Sequence, residues 1–236
     1  VIHFAAKAIV SESVQKPDLY YYNNVVGTLN LVNEMIKNGV KHLVFSSTAA
    51  IFGNPITKKI DEDHPKIPIN PYGQSKLVVE NVLRDICFAY DFNVVSFRYF
   101  NAAGADKSGA IGEAHDPETH LIPNILRSEL ENGSVLKVFG NNYATHDGTC
   151  IRDYVHVTDL AQAHLLGLDH IRGSKGFSAF NLGNGGGFSV LDVIKSCERF
   201  IGKAINYEIS ESRVGDPPSL VANSDLAVTC LLYTSP

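Results

Sequence analysis

Apolar runs alternate with amphipathic stretches over the first part of the chain. The runs VIHFAA at 1–6, KHLVFSS at 41–47 and NVVSFRYF at 93–100 predict strands, and the second is apolar on both faces, as in a buried parallel strand. Between them, residues 18–39 and 71–90 carry apolar positions at helical spacing and predict two helices. Strands and helices in alternation predict a parallel sheet that is covered by helices on both faces.

The pattern changes after about Ala102, where shorter elements follow a segment rich in glycine, histidine, aspartate and proline. We expect residues 1–102 to belong to the main sheet domain and residues 103–227 to form mainly a smaller mixed α/β domain. The chain is expected to return to the main sheet at approximately 150–185. Residues 228–236 break the polar helical pattern that precedes them, so we interpret them as an atypical tail outside the fold.

The composition is that of an ordinary globular protein. Hydrophobic residues make up 44% of the 236 residues and charged residues 19%, and the net charge of -5 gives no basic surface for nucleic acid. No apolar run reaches the length of a membrane helix, so we expect no membrane partner. The four cysteines lie far apart without a C-x-x-C pair, which fits a reducing cytoplasm. We therefore predict a cytoplasmic protein without a bound metal.

One pair of polar residues has a spacing that suits acid–base chemistry. Tyr72 lies four residues before Lys76 in the predicted helix 71–90, so both side chains share one helical face. An ammonium close to a phenol favours the phenolate and lowers its pKa from the ordinary value near ~10, which would make Tyr72 a usable base. The alternative is a surface tyrosine and lysine that share a helix by chance.

Small and polar residues follow each predicted strand at the edge where ligands bind. In open α/β sheets that edge lies outside the carboxyl ends of the strands. The residues there are Ala5 and Ala6 after the first strand, Ser46, Ser47 and Thr48 after the second, and Tyr99, Phe100 and Asn101 after the third. Each has an ordinary structural explanation, such as a turn cap, but their joint occurrence at successive strand ends predicts a ligand site.

A set of short motifs carries a resemblance to a known family. The motifs are HFAA, NNVVGT, FSSTAAIFG, PYGQSK, RYFNAAGA, FGNNYATHDGTCIRDYVHVTDLA, FNLGNG and GDPP, and DGTCIRDYVHVTDLA is the most specific stretch. From Val1 to about Ala227 the chain resembles the UDP-glucose 4-epimerase family, which belongs to the extended short-chain dehydrogenases/reductases. The resemblance implies NAD-dependent 4-epimerisation of a UDP-hexose (UDP-glucose and UDP-galactose) through a 4-keto intermediate, in galactose metabolism. It also implies a homodimer formed by the helices at 18–37 and 72–89, and the alternative is that their apolar residues form domain core.

The motifs of that family imply roles for individual residues of this chain. The implied catalytic residues are Thr48, Tyr72 and Lys76, with Tyr72 as the base and Lys76 as the residue that lowers its pKa. The residues implied for NAD binding are Phe4, Ala5, Ala6, Asn23, Ser46, Ser47, Tyr72, Lys76 and Tyr99. The residues implied for UDP-sugar binding are Thr48, Asn101, Leu121, Arg152, Arg213 and Asp216. Two arginines suit a diphosphate because a guanidinium can bond its oxygens in pairs, although an ion pair with Asp153 is the alternative for Arg152.

The sequence departs from the family pattern at its beginning. The glycine-rich phosphate loop G-x-x-G-x-x-G and the acidic residue after the family's second strand are absent, and GNGGG at 183–187 lies too late in the chain to replace them. We therefore expect an α/β fold with a partial Rossmann-type doubly wound parallel sheet that lacks its first βαβ units, roughly 60–80 residues. On this expectation the chain itself has little or no activity, and a non-catalytic sugar-nucleotide-binding role stays open.

Other UDP-sugar enzymes on the same scaffold are the main alternatives. A 4,6-dehydratase of this kind places Asp-Glu after the catalytic threonine, whereas Ala49 and Ala50 follow Thr48, so the acid–base pair that eliminates water is absent. A uronate epimerase and a decarboxylase both stay open. Three histidines lack metal-ligand spacing, and we expect them to pack or to lie on a helix surface: His156, His164 and His170.

Overall fold

A computed structural model of the chain describes residues 1–130, 134–213 and 215–231. Its strands in chain order are β1 (Ile2–His3), β2 (His42–Ser46), β3 (Asn93–Tyr99), β4 (Asn101–Ala103), β5 (Leu136–Phe139), β6 (Ile151–His156), β7 (Gly176–Leu182), β8 (Gly187–Ser189), β9 (Tyr207–Ser210) and β10 (Ser219–Leu220). Its helices are α1 (Val10–Gln15), α2 (Pro17–Tyr20), α3 (Gly27–Lys37), α4 (Pro71–Tyr90), α5 (Leu121–Leu130), α6 (Val157–Gly173), α7 (Val190–Ile201) and α8 (Asp225–Leu231). A π-helical turn, Tyr21–Val26, connects α2 and α3, and a 3-10 turn, Ala49–Phe52, follows β2. None of the helices in these ranges is both long enough and apolar enough to cross a membrane.

Four parallel strands form the main sheet in the order β1-β2-β3-β7. Along β2, Leu43 and Phe45 pack with residues of α3 and α4, whereas Val44 packs with residues of α6. The strand is therefore apolar on both faces, because each face is covered by helices. This arrangement confirms the predicted α/β fold with a parallel sheet between two layers of helices.

The first strand is shorter than predicted. β1 comprises only Ile2–His3 rather than 1–6, because the backbone of Lys7 bonds to a side chain instead of a neighbouring strand. The carboxamide of Asn24 accepts a hydrogen bond from Lys7 N at 2.8 Å and donates one to Lys7 O at 3.0 Å. It also donates to Ser75 Oγ in α4 at 3.0 Å. A buried asparagine thus draws the segment after β1 towards α4.

The predicted helix 18–39 exists but is interrupted by the π-helical turn. α2 ends at Tyr20, the turn occupies Tyr21–Val26, and α3 ends at Lys37. Wide turns of this kind are rare and occur frequently at functional sites. This turn carries Asn24, so the local widening accompanies a tertiary hydrogen bond that periodicity alone does not reveal.

The second predicted helix coincides with α4. Its first residue is Pro71, whose fixed φ suits the first helical position. Asn70 caps the helix, since its side-chain oxygen accepts a hydrogen bond from Gly73 N at 2.8 Å. The cap fixes where the helix begins, and therefore where the first turn places Tyr72.

The later elements form two smaller sheets. β6 pairs in parallel with β4 and β10 and antiparallel with β8, and β5 pairs in parallel with β9. Within the segment 150–185, β6 thus lies in the mixed sheet, and only β7 joins the main one. The division into domains remains a prediction, and the limit placed after residue 102 falls inside β4.

The end of the described chain differs from the predicted tail over 228–236. Residues up to Leu231 continue helix α8. Ala227 and Leu231 lie four residues apart on one helical face and are buried in the cluster that includes β3, β7 and α6. Residues 228–231 therefore continue the helix that precedes them, and the assignment of an atypical tail stays a prediction. Residues 232–236 lie outside the described residues.

Glu80 in α4 and Arg98 in β3 form a buried ion pair that joins the helix to the sheet. Their side chains are 0% and 2% exposed, Arg98 Nη2 lies 2.6 Å from Glu80 Oε2, and Arg98 Nε lies 2.9 Å from Oε1. Ser47 and Ser96 also donate hydrogen bonds to Oε1, at 2.6 and 3.0 Å. Burial alone would raise the pKa of Glu80, but Arg98 and the two serines outweigh it and lower that pKa below its ordinary value.

We expect Glu80→Gln to lower the free energy of unfolding by about 3–5 kcal/mol, because it leaves the Arg98 guanidinium buried without a counter-charge. Urea denaturation at neutral pH measures the change. Glu34→Gln is the matched control: it breaks the exposed ion pair with Lys37 and should leave the stability unchanged. Equal stability of the two variants would contradict the importance given to the buried pair.

Candidate active site

Lys76 lies buried at the carboxyl end of β2. Its ammonium donates a hydrogen bond to the Ser46 carbonyl at 2.6 Å and lies 4.8 Å from the centre of the Phe45 ring. The residue is only 3% exposed. Burial lowers the pKa of Lys76 to about 8, although the carboxylate of Glu80, one turn further along α4, partly opposes the shift. The structure thus places a lysine with a lowered pKa at the sheet edge that was predicted to bind ligands.

Tyr72 and Thr48 come together because α4 begins in contact with the turn after β2. A Cβ on Gly73 would lie 2.4 Å from Ala50 O, so only glycine allows this approach. The Thr48 side chain lies near the Tyr72 phenol and opposes part of the rise in its pKa. Thr48 Oγ1 accepts a hydrogen bond from Ala50 N at 3.1 Å, which orients the hydroxyl. The threonine hydroxyl and the phenol therefore both lie at the end of β2.

The pKa of Tyr72 is shifted in the direction opposite to the prediction. Burial raises it to about 12, and the Thr48 side chain opposes the shift only in part. The predicted shift requires that the Lys76 ammonium face the phenol. In the structure the ammonium is directed at the Ser46 carbonyl and the Phe45 ring instead. The shared helical face therefore places both residues at one site, but the ammonium does not face the phenol.

Two of the predicted cofactor residues direct their side chains elsewhere. Ser47 Oγ donates to Glu80 in the interior rather than facing the rim, so its hydroxyl is removed from the candidate site. Asn23 is exposed and donates from Nδ2 to Asn24 Oδ1 at 3.0 Å. Asn24 was not predicted, although it is the buried asparagine of the pair. The sequence does not show which of two adjacent asparagines is buried. The π-helical turn decides that the Asn24 side chain faces inward and the Asn23 side chain outward.

The remaining rim residues lie at three successive strand ends. Ser46 and Tyr99 share a close hydrogen bond between their hydroxyl groups at the ends of β2 and β3. Phe4, just beyond β1, is 58% exposed, and its ring centre lies 4.7 Å from that of His164 in α6. Ala5 and Ala6 follow Phe4, and their small side chains leave the rim open. The predicted convergence of strand ends is therefore present, with His164 as an unpredicted neighbour.

The three histidines pack or cap, as expected. His164 Nδ1 contacts the Leu160 carbonyl at 2.7 Å, and burial lowers the pKa of the ring, with that contact opposing. His156 caps α6, since its Nδ1 accepts a hydrogen bond from Thr158 N. The ring of His170 packs against Phe180.

Arg152 forms an ion pair with Asp216, which lies far from it in sequence. Arg152 Nη2 lies 2.6 Å from Asp216 Oδ1, and Nη1 donates to the Ile151 carbonyl at 2.7 Å. The alternative pairing with Asp153 is wrong. That buried carboxylate instead accepts hydrogen bonds from three backbone N–H groups, those of Asn184, Gly185 and Ala222.

The other predicted sugar-nucleotide residues surround this ion pair to different degrees. Arg213 is exposed, and its guanidinium carbon lies 4.0 Å from the centre of the Phe139 ring. Asn101 begins β4, where it is in register with Tyr154 of β6. Leu121 is the first residue of α5 and packs partly against the cluster of α5 and α7. The structure shows no direct contact that joins Asn101 and Leu121 to Arg152.

One hydrogen bond joins the arginine cluster to the tyrosine site. Asn70, the cap of α4, donates from Nδ2 to the Gly215 carbonyl at 3.4 Å. Gly215 directly precedes Asp216, the partner of Arg152, and Asn70 lies two residues before Tyr72. The Arg152–Asp216 ion pair and Tyr72 are thus both connected to the start of α4.

A parallel sheet whose carboxyl edge presents a tyrosine and a buried lysine on one helix places the chain among the extended short-chain dehydrogenases/reductases. The chain belongs to the NAD dependent epimerase/dehydratase family, whose sequence model matches residues 1–183. This finding confirms the class that the motifs indicated.

Individual relatives support the same family. The chain is 51% identical to a UDP-glucose 4-epimerase of Halalkalibacterium halodurans, over 98% of this chain and 69% of the relative. Among solved structures, UDP-glucose 4-epimerase from Brucella ovis in complex with NAD is 45% identical with a TM-score of 0.94, and the match covers 100% of this chain and 73% of that one. The enzyme from Bifidobacterium longum, in complex with NAD+ and UDP, is 41% identical with a TM-score of 0.96, covering 100% and 71%.

The lowered pKa of Lys76 predicts a pH dependence of stability. Between its folded value of about 8 and the ordinary 10.5, the unfolded chain binds more protons than the folded one, so the free energy of unfolding contributed by Lys76 rises with pH. Crossing the whole window changes it by on the order of 3 kcal/mol. We therefore expect the unmodified chain to gain free energy of unfolding, relative to Lys76→Met, as the pH rises from 8 to 10.5.

Urea denaturation of both proteins at several pH values tests this. The raised pKa of Tyr72 lowers stability at still higher pH, but it affects both proteins alike and cancels in the difference. Lys41→Met, at an exposed ion pair with Asp91, controls for the loss of a lysine in general. A difference that stays flat across the window would show that Lys76 has an ordinary pKa.

Proposed function

We propose that this chain carries the catalytic residues for NAD-dependent 4-epimerisation of a UDP-hexose, with UDP-glucose and UDP-galactose as the substrate pair. The observation that supports it most is the buried Lys76, one turn after Tyr72 on α4 and next to Thr48, at the carboxyl edge of a parallel sheet. The printed functions of the relatives support the same reaction.

Tyr72 exchanges the proton of the sugar 4-hydroxyl in this proposal. Tyr72 acts from its phenolate form: it accepts the proton of the substrate hydroxyl as the 4-keto sugar forms and returns that proton when the alcohol is restored. A phenol with a pKa of about 12 is a poor base at neutral pH, so binding must lower that pKa. Thr48 already opposes part of the rise in this pKa. For Lys76 to favour the phenolate as well, its ammonium would have to turn from the Ser46 carbonyl towards the phenol.

The residues present fit the nicotinamide–ribose half of NAD. The buried Lys76 ammonium has three N–H donors, and within the described ranges only the Ser46 carbonyl accepts from it. Two donors therefore remain for ribose hydroxyl groups. Phe4, Ala5, Ala6, Asn23 and Tyr99 supply the surrounding wall. When bound, NAD supplies the redox step by accepting the C4 hydrogen of the sugar and returning it to the opposite face.

The arginine cluster binds the UDP-sugar diphosphate in this proposal. Arg152 is fixed by Asp216, and Arg213, three residues before Asp216, is exposed. Guanidinium groups suit phosphate oxygens because each offers paired N–H donors. Asn101 and Leu121 would then contact the hexose and uridine ends. Ala49 and Ala50, which follow Thr48 and line the start of α4, leave no acid–base pair for a dehydratase reaction.

Replacing the phenol should abolish the reaction. We expect Tyr72→Phe to reduce conversion of UDP-galactose to UDP-glucose by about 10²–10⁴-fold, because no group remains to exchange the hydroxyl proton. The assay uses this chain alone, and this chain joined to the parts of the Halalkalibacterium enzyme that lie outside the matched region. Tyr90→Phe, at the exposed end of the same helix, is the matched control and should keep full activity.

The outcomes separate the competing functions. Conversion that survives in Tyr72→Phe would remove Tyr72 as the base. A folded protein that binds NAD but converts no UDP-hexose would favour another UDP-sugar reaction, such as a uronate epimerase or decarboxylase. Little turnover by the chain alone, with turnover by the joined protein, would agree with the expectation from the sequence.

We also propose that the protein forms a homodimer through α3 and α4. A shallow apolar groove lies where α3, α4 and the π-helical turn meet, next to the core residues Val32 and Val79. Its lining residues are Val25, Thr28, Leu29, Val32, Val79 and Val82. Two copies of such a face bury each other's apolar side chains by packing the helices into a four-helix bundle.

Free thiols at all four cysteines, two of them buried, support a reducing cytoplasmic location.

A charge in the groove should prevent dimerisation. We expect Leu29→Asp to elute as a monomer at concentrations where the unmodified protein is dimeric, because an unpaired carboxylate cannot be buried at low cost. Light scattering after gel filtration measures the mass. Phe200→Asp on α7 removes an exposed apolar side chain elsewhere and should leave the dimer intact. A monomeric unmodified protein would refute the proposed interface.

A further inference from the structure

Four metal-ligating side chains converge in the loop between β4 and α5. They are Glu113, His115, Glu118 and His120, and one ligand atom from each lies within 4.8 Å of all the others. His115 Nδ1 lies 3.0 Å from Glu113 Oε1 and 3.8 Å from Glu118 Oε1, and His120 Nδ1 lies 4.0 Å from Glu118 Oε1. His120 Nδ1 also contacts Glu113 Oε1 closely. Ligand atoms around a tetrahedral zinc ion are about 3.3 Å apart, so these separations need little adjustment.

Glu118 provides an independent indication of a missing cation. Its side chain is only 2% exposed. Oε1 accepts hydrogen bonds from the backbone N–H groups of Thr119 and His120, at 2.8 and 2.9 Å, so the carboxylate is held in one orientation. Oε2 is buried and has no hydrogen-bond partner within the described residues. A buried carboxylate oxygen without a partner is costly and uncommon. The histidines lie nearest Oε1, so a cation in the cluster would satisfy Oε2 by binding both oxygens of the carboxylate.

The charge of the cluster points in the same direction. Within the described ranges, the ion-pair partners of Glu113 and Glu118 are the two histidines alone. Two carboxylates among neutral imidazoles carry two negative charges, which a divalent cation neutralises. Imidazole ligands favour zinc and similar transition metals over calcium and magnesium, which prefer oxygen ligands.

We propose that Glu113, His115, Glu118 and His120 bind one zinc ion, or a related divalent transition metal, as a closed structural site. Four protein ligands leave no open position, which is typical of structural rather than catalytic zinc. The site would hold the loop rigid immediately before Leu121, where α5 begins. This proposal does not depend on the proposed function. A metal at this place was not predicted, because the four ligands contain no cysteine pair and lie in a loop before α5.

A second histidine–carboxylate group in the structure does not qualify as a site. His146 lies 3.6 and 3.3 Å from carboxylate oxygens of Asp147 and Asp192. These carboxylates already have structural roles. Asp147 Oδ2 accepts a hydrogen bond from Ser189 Oγ at 2.5 Å, and Asp192 forms the capping box of α7 with Ser189. His146 therefore provides a matched control for the loss of an exposed histidine near two carboxylates.

Zinc binding is tested on the whole chain, prepared without a histidine tag, stripped with a chelator and dialysed against zinc chloride. We expect the folded protein to retain one zinc ion per chain, measured by mass spectrometry of the metal. X-ray absorption should show nitrogen and oxygen neighbours at about 2.0–2.2 Å, and cobalt in place of zinc should give the visible absorption of a tetrahedral site. Retention of no zinc, or a sulfur shell at about 2.3 Å from the cysteines, would overturn the proposal.

Variants locate the ion. His115→Gln and His120→Gln should each weaken zinc binding by at least about 10–100-fold, the loss that follows removal of even an outer-shell partner, whereas His146→Gln should bind like the unmodified chain. Circular dichroism of the zinc-free proteins separates loss of a ligand from loss of the fold. Equal zinc affinity in all three variants would place the ion elsewhere and refute the site. Absorption data on the unmodified chain remain decisive if a variant fails to fold.

Discussion

The buried ion pair between Glu80 and Arg98 is the interaction on which the remaining structure of the site depends. It fixes α4 against β3 by two charge-assisted contacts in a place from which water is excluded. Because Lys76 lies one turn before Glu80 on α4, the same contact sets the depth of the ammonium beneath the sheet edge. The charge of Glu80 also limits how far burial can lower the pKa of Lys76.

The start of α4 connects parts of the chain that are far apart in sequence. Asn70 caps the helix and reaches the loop before Asp216, which in turn holds Arg152. Gly73 lets the helix touch the turn after Thr48. A displacement of this single helix end would therefore separate the phenol, the threonine hydroxyl and the arginine cluster together. Such a dependence explains why the helix needs a cap, a proline and a buried ion pair.

Burial and charge act in opposite directions on the two residues that give the site its chemistry. Desolvation raises the pKa of Tyr72 to about 12 and lowers that of Lys76 to about 8, so both residues are shifted towards their neutral forms. The site is thus poised to respond to a ligand that brings charge or hydrogen bonds. A helix pattern can place two residues on one face, but it does not contain the dielectric environment that determines which form each adopts.

The sequence by itself determined the strand–helix alternation, the limits of α4 and the family, because periodicity and short motifs are local properties of the chain. It also indicated Tyr72, Thr48 and the strand-end rim. Only the tertiary structure decided that Asp216 is the partner of Arg152, that the hydroxyl of Ser47 faces Glu80, and that the four ligands before α5 converge. Those outcomes depend on distances between segments that are remote in sequence or lie in irregular loops, and on burial, neither of which follows from local spacing.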